Sequence, residues 1–277
     1  MSEPVTTIGL IAGGRQFPIL VARGVKAHGY RLVVAGFTGH TNMDVVPYAD
    51  VWQELKLGKL GRLIAFFREN GVDRVIMAGT IDKPKVMDIR HLDMRAVKLL
   101  FRQKNKGDSA ILGSLAEEFE REGMPVVPAH DYLPELLSPL GVMTRREPDE
   151  REREDLRYGW KIAKELGRMD IGQCVVLREG IISAVEALEG TDAAIARGCG
   201  LGGPGCVVIK VFKPGQQEQV DLPSLGLDTV RAMIDGKATC LGVEAGRSLF
   251  FDRDEALALA DRAGMAIVGL ATDQVEP

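Results

Sequence analysis

Carboxylates, lysines and close-packed glycines are the residues of this 277-residue chain best suited to chemistry, and they gather in a few short stretches. Glu186, Glu189 and Asp192 lie in AVEALEGTD, Asp221 in VDLPSLG, Asp228 shortly after it and Glu244 in GVEAG. Such oxygen donors suit a hard cation like Mg2+, which asks for one or two protein carboxylates and keeps water and phosphate oxygens as its other ligands. Asp221 precedes Leu222-Pro223 and a glycine-containing turn, so it is expected where the carboxyl end of a strand faces a cleft; a surface position is the plain alternative. Asp228 near a helix start and Thr191 ahead of DAAIARG read equally well as helix caps. Lys210 and Lys213 end the run GCVVIKVFKP and either neutralise a diphosphate or are solvated strand-end lysines.

Other chemistries are excluded by what is missing. The four histidines stand at 28, 40, 91 and 130 with no H-E-x-x-H spacing, and there is no G-x-S-x-G elbow, which argues against zinc and serine hydrolases. Gly13-Gly14 sits where a doubly wound fold presents backbone N–H groups to a phosphate, and reads equally well as a tight turn that merely needs small residues. Yet Gly9, Gly13 and Gly14 do not make G-x-G-x-x-G, and AGFT at 35–38 supplies no acid for a ribose, so NAD and a nucleotide-dependent oxidoreductase are disfavoured. GCGLGGPG at 198–205 lacks the Lys-Ser or Lys-Thr of a phosphate-binding loop and reads first as a plain connection, with a mobile loop over a ligand as the alternative. Cys174, Cys199, Cys206 and Cys240 form no C-x-x-C pair, which fits reduced core thiols and a cytoplasmic location.

The elements that must carry these residues follow from hydrophobic periodicity. IGLIAG, RLVVAGF, RVIMAGT and MPVVPAH read as strands, with helices over Pro18–Gly29, Leu60–Gly71 and Asp108–Gly123 between them. This is the pattern of a Rossmann-like parallel sheet covered by helices. Three prolines between Tyr132 and Pro148, and a run from Arg145 to Asp155 that is charged at every position except Pro148, mark a solvated boundary between domains at 1–138 and 139–277. A second α/β domain follows: a helix with Leu156, Trp160, Ala163 and Leu166 on one face, strands at QCVVL, ISAVEAL and GCVVIKVF, then helix, strand, strand, helix and strand to MAIVGL.

Composition adds limits. A net charge of −4 speaks against a nucleic-acid partner, and no apolar run is long enough to span a bilayer. One segment departs from the average: residues 82–106 hold eight Lys or Arg against three Asp. Val86, Ile89, Val97, Leu100 and Phe101 share a helical face there, so the segment reads first as a core helix with a basic outer side. The sharper alternative is attraction to anionic lipid headgroups or a phosphorylated ligand.

Taken in order, IAGGRQFP, AGTIDKP, KGD, IGQCVV, AVEALEGTD, KP with VDLPSLG, GVEAGRSLFFDRD and ADRAGMAIVGL resemble, almost end to end, the LpxI-type UDP-2,3-diacylglucosamine pyrophosphatases of lipid A biosynthesis. The resemblance implies two domains with the substrate in a cleft between them. It also implies hydrolysis of the diphosphate to UMP and 2,3-diacylglucosamine 1-phosphate (lipid X), with Mg2+ as cofactor and water attacking the sugar-side phosphorus. By the same resemblance Asp221 is the catalytic, metal-holding residue, and Gly13, Phe17, Thr80, Ile81, Lys106, Gly172, Gln173, Thr191 and Asp192 line the cleft. A lipid substrate implies peripheral contact with the cytoplasmic face of the inner membrane; self-association is left open. Ser109 stands where the family often has a second Asp after K-G-D, and Gln219 where it often has an Arg. A catalytically silent nucleotide-sugar or lipid-binding module of the same fold is the alternative.

Overall fold

A computed structural model describes residues 6–81, 92–102, 108–216, 218–219 and 222–275. Two compact units divide the chain, one running to Pro134 and one from Glu135 onward, with Glu218 and Gln219 grouped with the first.

The first unit opens with β1 (Thr7–Ala12), α1 (Phe17–Ala27), β2 (Arg31–Phe37), β3 (Val51–Leu55), α2 (Leu60–Glu69) and β4 (Arg74–Ala78). Every residue of β1 is buried, as a parallel strand covered on both faces requires. Pro18 in its first turn pre-sets the backbone of α1, and Gly29, in the left-handed region, turns the chain after it. All neighbours pair in parallel in the order β3-β2-β1-β4. That order reverses direction between β1 and β4, so the carboxyl ends of these two strands flank a topological switch point. Two further helices, α3 (Met94–Arg102) and α4 (Asp108–Arg121), complete the unit, and Phe67, Phe119, Val75 and Met124 lie in its core.

The second unit contains β5 (Gly141–Val142), α5 (Glu150–Arg168), β6 (Cys174–Arg178), β7 (Ile181–Val185), α6 (Thr191–Gly202) and β8 (Val207–Lys210). It continues with β9 (Ser224–Leu225), α7 (Leu227–Asp235), β10 (Cys240–Glu244), β11 (Leu249–Phe250), α8 (Arg253–Arg262), β12 (Ala266–Leu270) and α9 (Thr272–Val275). Its main sheet runs β5-β12-β10-β8-β6-β7; β8, β10 and β12 are parallel and β6 is antiparallel to both its neighbours. Alternation along the strands splits the core in two. Val175, Leu177, Val207 and Ile209 face Leu156, Trp160 and Ala163 of α5, whereas Cys174, Val176, Cys206 and Val208 join the core that holds Ile195, Met233 and Ala256.

Four sequence expectations are corrected. MPVVPAH forms no strand: only Val126 makes a bridge, to Val75, before a 3-10 turn at Ala129–Tyr132. The charged run at 145–155 is no mere solvated boundary, because it builds the start of α5. There Asp149 and Glu152 form a capping box, and Glu152 and Asp155 are buried against Arg146 and the Glu179 and Gly180 N–H groups. GCGLGGPG is not simply a connection, since its first five residues finish α6. Phe101 is not a core residue; it is 79% exposed on α3, while Val86 and Ile89 lie outside the described residues.

Candidate functional site

At the switch point of the first sheet the polar atoms that meet are main-chain atoms. The Gly13 N–H donates to the Ala78 carbonyl at 2.8 Å and the Gly14 N–H to the Thr80 carbonyl at 2.7 Å, so the turn after β1 is stitched to the end of β4. A Cβ on Gly13 would come within 2.7 Å of the Thr80 oxygen and 2.8 Å of the Gly79 carbonyl carbon, which is why only glycine fits. The end of β2 joins them: the Thr41 hydroxyl donates to the Ala12 carbonyl at 2.5 Å and accepts from the Phe37 N–H at 2.7 Å. Phe17 opens α1 directly after this turn, and Ile81 packs on the core just past Thr80. Gly13, Phe17, Thr80 and Ile81, far apart in sequence, thus belong to one edge. Lys106 lies outside the described residues.

The second unit gathers side chains instead. Strand direction puts the carboxyl ends of β7, β8, β10 and β12 and the amino end of β6 on a single edge of its sheet. Gly172 and Gln173 lead into β6. A Cβ on Gly172 would run into the Glu186 carbonyl, and the Gln173 N–H donates to Glu186 Oε2 at 3.3 Å. Gln173 Oε1 is buried and has no hydrogen-bond partner among the described residues. Thr191 does not cap α6, since Gly190 holds the cap position; its hydroxyl donates to Glu186 Oε1 at 2.9 Å. Asp192, in the first turn of α6, accepts from the Thr229 hydroxyl at 3.3 Å.

Lys210 is buried at the end of β8 and donates from Nζ to the Ser224 carbonyl at 2.5 Å, so it is not a solvated strand-end lysine. Lys213 pairs with Asp170 at 2.7 Å. Asp221 lies outside the described residues. Asp228 pairs with Arg231 in the first turn of α7, where Gly226 occupies the cap position.

One residue at this edge, the partner of Glu244, went unread in the sequence. Lys164 of α5 donates to Glu244 Oε2 at 2.5 Å and to the Phe212 carbonyl at 2.9 Å, while the same Glu244 oxygen accepts from the Phe212 N–H at 2.9 Å. The side chains are only 12% and 3% exposed, and the Lys164 ammonium also lies 5.0 Å from the centre of the Trp160 ring. Both backbone polar groups of Phe212 are thereby fixed, in the stretch between Lys210 and Lys213. Lys164 flanks the apolar face of α5, and its partner is 80 residues away, so only the interruption of that face by a charge could have flagged it.

The cysteines take no part. All four are free and buried; burial pushes the Cys199 thiol up to about 12 and moves Cys174, Cys206 and Cys240 in the same direction, away from a reactive thiolate. Among the described residues no group of three or more His, Cys, Asp and Glu is arranged to hold a metal ion. The donors at the second edge, Glu186 and Asp192, are nevertheless oxygen ligands, the kind that suits an ion held mainly by phosphate and water.

Paired α/β units, each displaying polar groups at the carboxyl edge of parallel strands, define a two-domain α/β protein of the class that handles ligands at such edges. The sequence profiles of the LpxI N-terminal domain and the LpxI C-terminal domain match residues 7–136 and 139–268. The chain belongs to the LpxI family. A relative from Caulobacter vibrioides, the UDP-2,3-diacylglucosamine pyrophosphatase LpxI, is 35% identical over 279 residues, covering 95% of this chain and 97% of that one. Among solved structures, the biotin carboxylase subunit of pyruvate carboxylase matches 66% of this chain at 16% identity and a TM-score of 0.27. Phosphoribosylglycinamide synthetase from Anaerococcus prevotii matches 67% at 9% identity and 0.27. This chain spans only 36% and 40% of those two structures, and likenesses so slight carry no argument.

Proposed function

We propose that the chain hydrolyses the diphosphate of UDP-2,3-diacylglucosamine to UMP and 2,3-diacylglucosamine 1-phosphate, with Mg2+ as cofactor. The observation that carries this reading is the 35% identity, over nearly the whole of both chains, to a pyrophosphatase of that name. The geometry supports it in kind. Lys210 supplies a buried positive charge, and the N-terminus of α6 beside Gly172 and Gln173 favours an anion. The unpartnered Gln173 Oε1 would accept a ligand donor. Lys210 also holds the carbonyl of Ser224, three residues beyond Asp221 in the D-L-P-S sequence, and so restrains the stretch that follows the proposed catalytic carboxylate.

In this reading Asp221 holds Mg2+, and Glu186 or Asp192 would supply a further oxygen donor. The ion's contribution would be to offset the charge that builds on the diphosphate as it breaks. Gly13, Phe17, Thr80 and Ile81 of the first unit, with Lys106, would contact substrate chiefly for binding, Thr191 and Lys213 would border the phosphate, and a lipid substrate would bring the protein to the cytoplasmic face of the inner membrane.

Incubation of the purified chain with UDP-2,3-diacylglucosamine and Mg2+ in 18O-water tests this. UMP and lipid X are expected in equal amounts, with the label in the lipid X phosphate and with release stopped by a chelator. Binding without UMP release would leave the silent-module reading in its place; label in UMP would overturn the attack on the sugar-side phosphorus.

A further inference from the structure

In the first unit, α3 shows an outer face that a solvated helix does not need. The helix is firmly held from inside. Asp93 accepts from the N–H groups of Gly61, Arg95 and Ala96 at 2.7, 3.1 and 2.9 Å, and Ala96 is buried in the core. Arg95 pairs with Glu118 on α4 at 2.7 Å and with Glu122 just past the end of that helix. At 100° per residue, the opposite side of the helix carries Met94, Lys98 and Phe101. Met94 is 84% and Phe101 79% exposed, and Lys98 stands between them.

A single exposed apolar residue needs no explanation, but two large ones on one face, bracketing a lysine, do. The sequence of α3, MRAVKLLFR, contains no acid, and residues 82–106 carry eight basic against three acidic side chains in a chain of net charge −4. Glu118 and Glu122 beside the helix are already paired, with Arg95 and Arg121 and with Arg95 and Arg68. An apolar surface seamed with positive charge is complementary to a bilayer bearing anionic headgroups.

We infer that the outer face of α3 docks on an anionic phospholipid surface, with Met94 and Phe101 entering the acyl boundary and Lys98 meeting the headgroups. The choice of a bilayer rests in part on the reading that the substrate carries acyl chains. It also rests on charge, because a second copy would set one basic face against another.

Flotation of the full chain with phosphatidylethanolamine–phosphatidylglycerol vesicles, against phosphatidylcholine vesicles and with no substrate present, tests the assignment. The chain should float with the anionic vesicles and be released by high salt. The double substitution Met94→Ser, Phe101→Ser should weaken that partition at least about tenfold, and Lys98→Glu about fivefold. Hydrolysis of detergent-dispersed substrate should stay within about twofold of the parent. Failure of the parent to float, or serine variants that float equally well, would overturn the inference. So would a concentration-dependent dimer that the serine variants dissolve, since the face would then be covered by a second copy. Because flotation needs no turnover, an inactive chain that still floats would sink the proposed reaction and not the docking face.

Discussion

At the carboxyl edge of the first sheet, Gly13, Gly14, Ala78 and Thr80 meet through N–H and carbonyl groups, and the side chain that matters most is the one glycine lacks. At the edge of the second sheet, Glu186, Thr191, Lys210, Lys164 and Glu244 meet through side chains, three of them charged and under a tenth exposed. A backbone edge can be shaped to a ligand but has little charge to offer a reaction. An edge of buried charges costs stability to maintain, which is expected where charge must be neutralised during bond breaking. In the proposed reading the two units divide binding from chemistry, and substitutions at each edge should fail in different ways.

The largest effect is expected at the Lys164–Glu244 pair. Lys164→Met leaves Glu244 buried without its ammonium and frees the Phe212 peptide, at a cost of about 3 kcal/mol in urea unfolding. Adding Glu244→Gln should recover most of that loss; no recovery would mean the pair is not the source. Next, Lys210→Met should lower kcat about a hundredfold with KM little changed, because a charge used in the transition state is removed. An unaltered kcat with a raised KM would place Lys210 in binding and blur the comparison. At the first edge, Gly13→Ala should do the reverse, raising KM about tenfold at nearly constant kcat.

The smallest effect concerns Glu152. Burial would raise its carboxyl, but the Arg146 guanidinium and the Asp149 N–H outweigh burial and hold it below its ordinary value. A depressed folded pKa contributes stability that is complete above the unfolded value of about 4.3 and is lost as pH falls through the folded one. Glu152→Gln should therefore cost about 1 kcal/mol at neutral pH and flatten the acid side of a melting-temperature profile. An unchanged acid limb would show that other carboxylates govern it.

Much of this was legible in the sequence, and the exceptions have physical reasons. β1, β2 and β4 announce themselves because a doubly covered parallel strand must be continuously apolar. MPVVPAH looks the same, yet its Pro125 and Pro128 flank Val126-Val127 and cannot donate to a ladder, so only Val126 bridges. The glycines of the first edge are visible because a close approach of backbones admits no other residue. The second edge is assembled from six separated stretches, so VDLPSLG, AVEALEGTD and IGQCVV gain meaning together only through resemblance. Glu152 and Asp155 were misjudged because local charge density says nothing about partners such as Arg146, whose fork also reaches the Gly264 carbonyl.

One comparison bears on the account more directly than any other: turnover and equilibrium binding measured side by side for Asp221→Ala. Binding of lipid X within a few-fold of the parent, with UMP release lowered at least about a thousandfold, is the expected result. Near-normal turnover in that variant would contradict the assignment of the chemistry to this carboxylate.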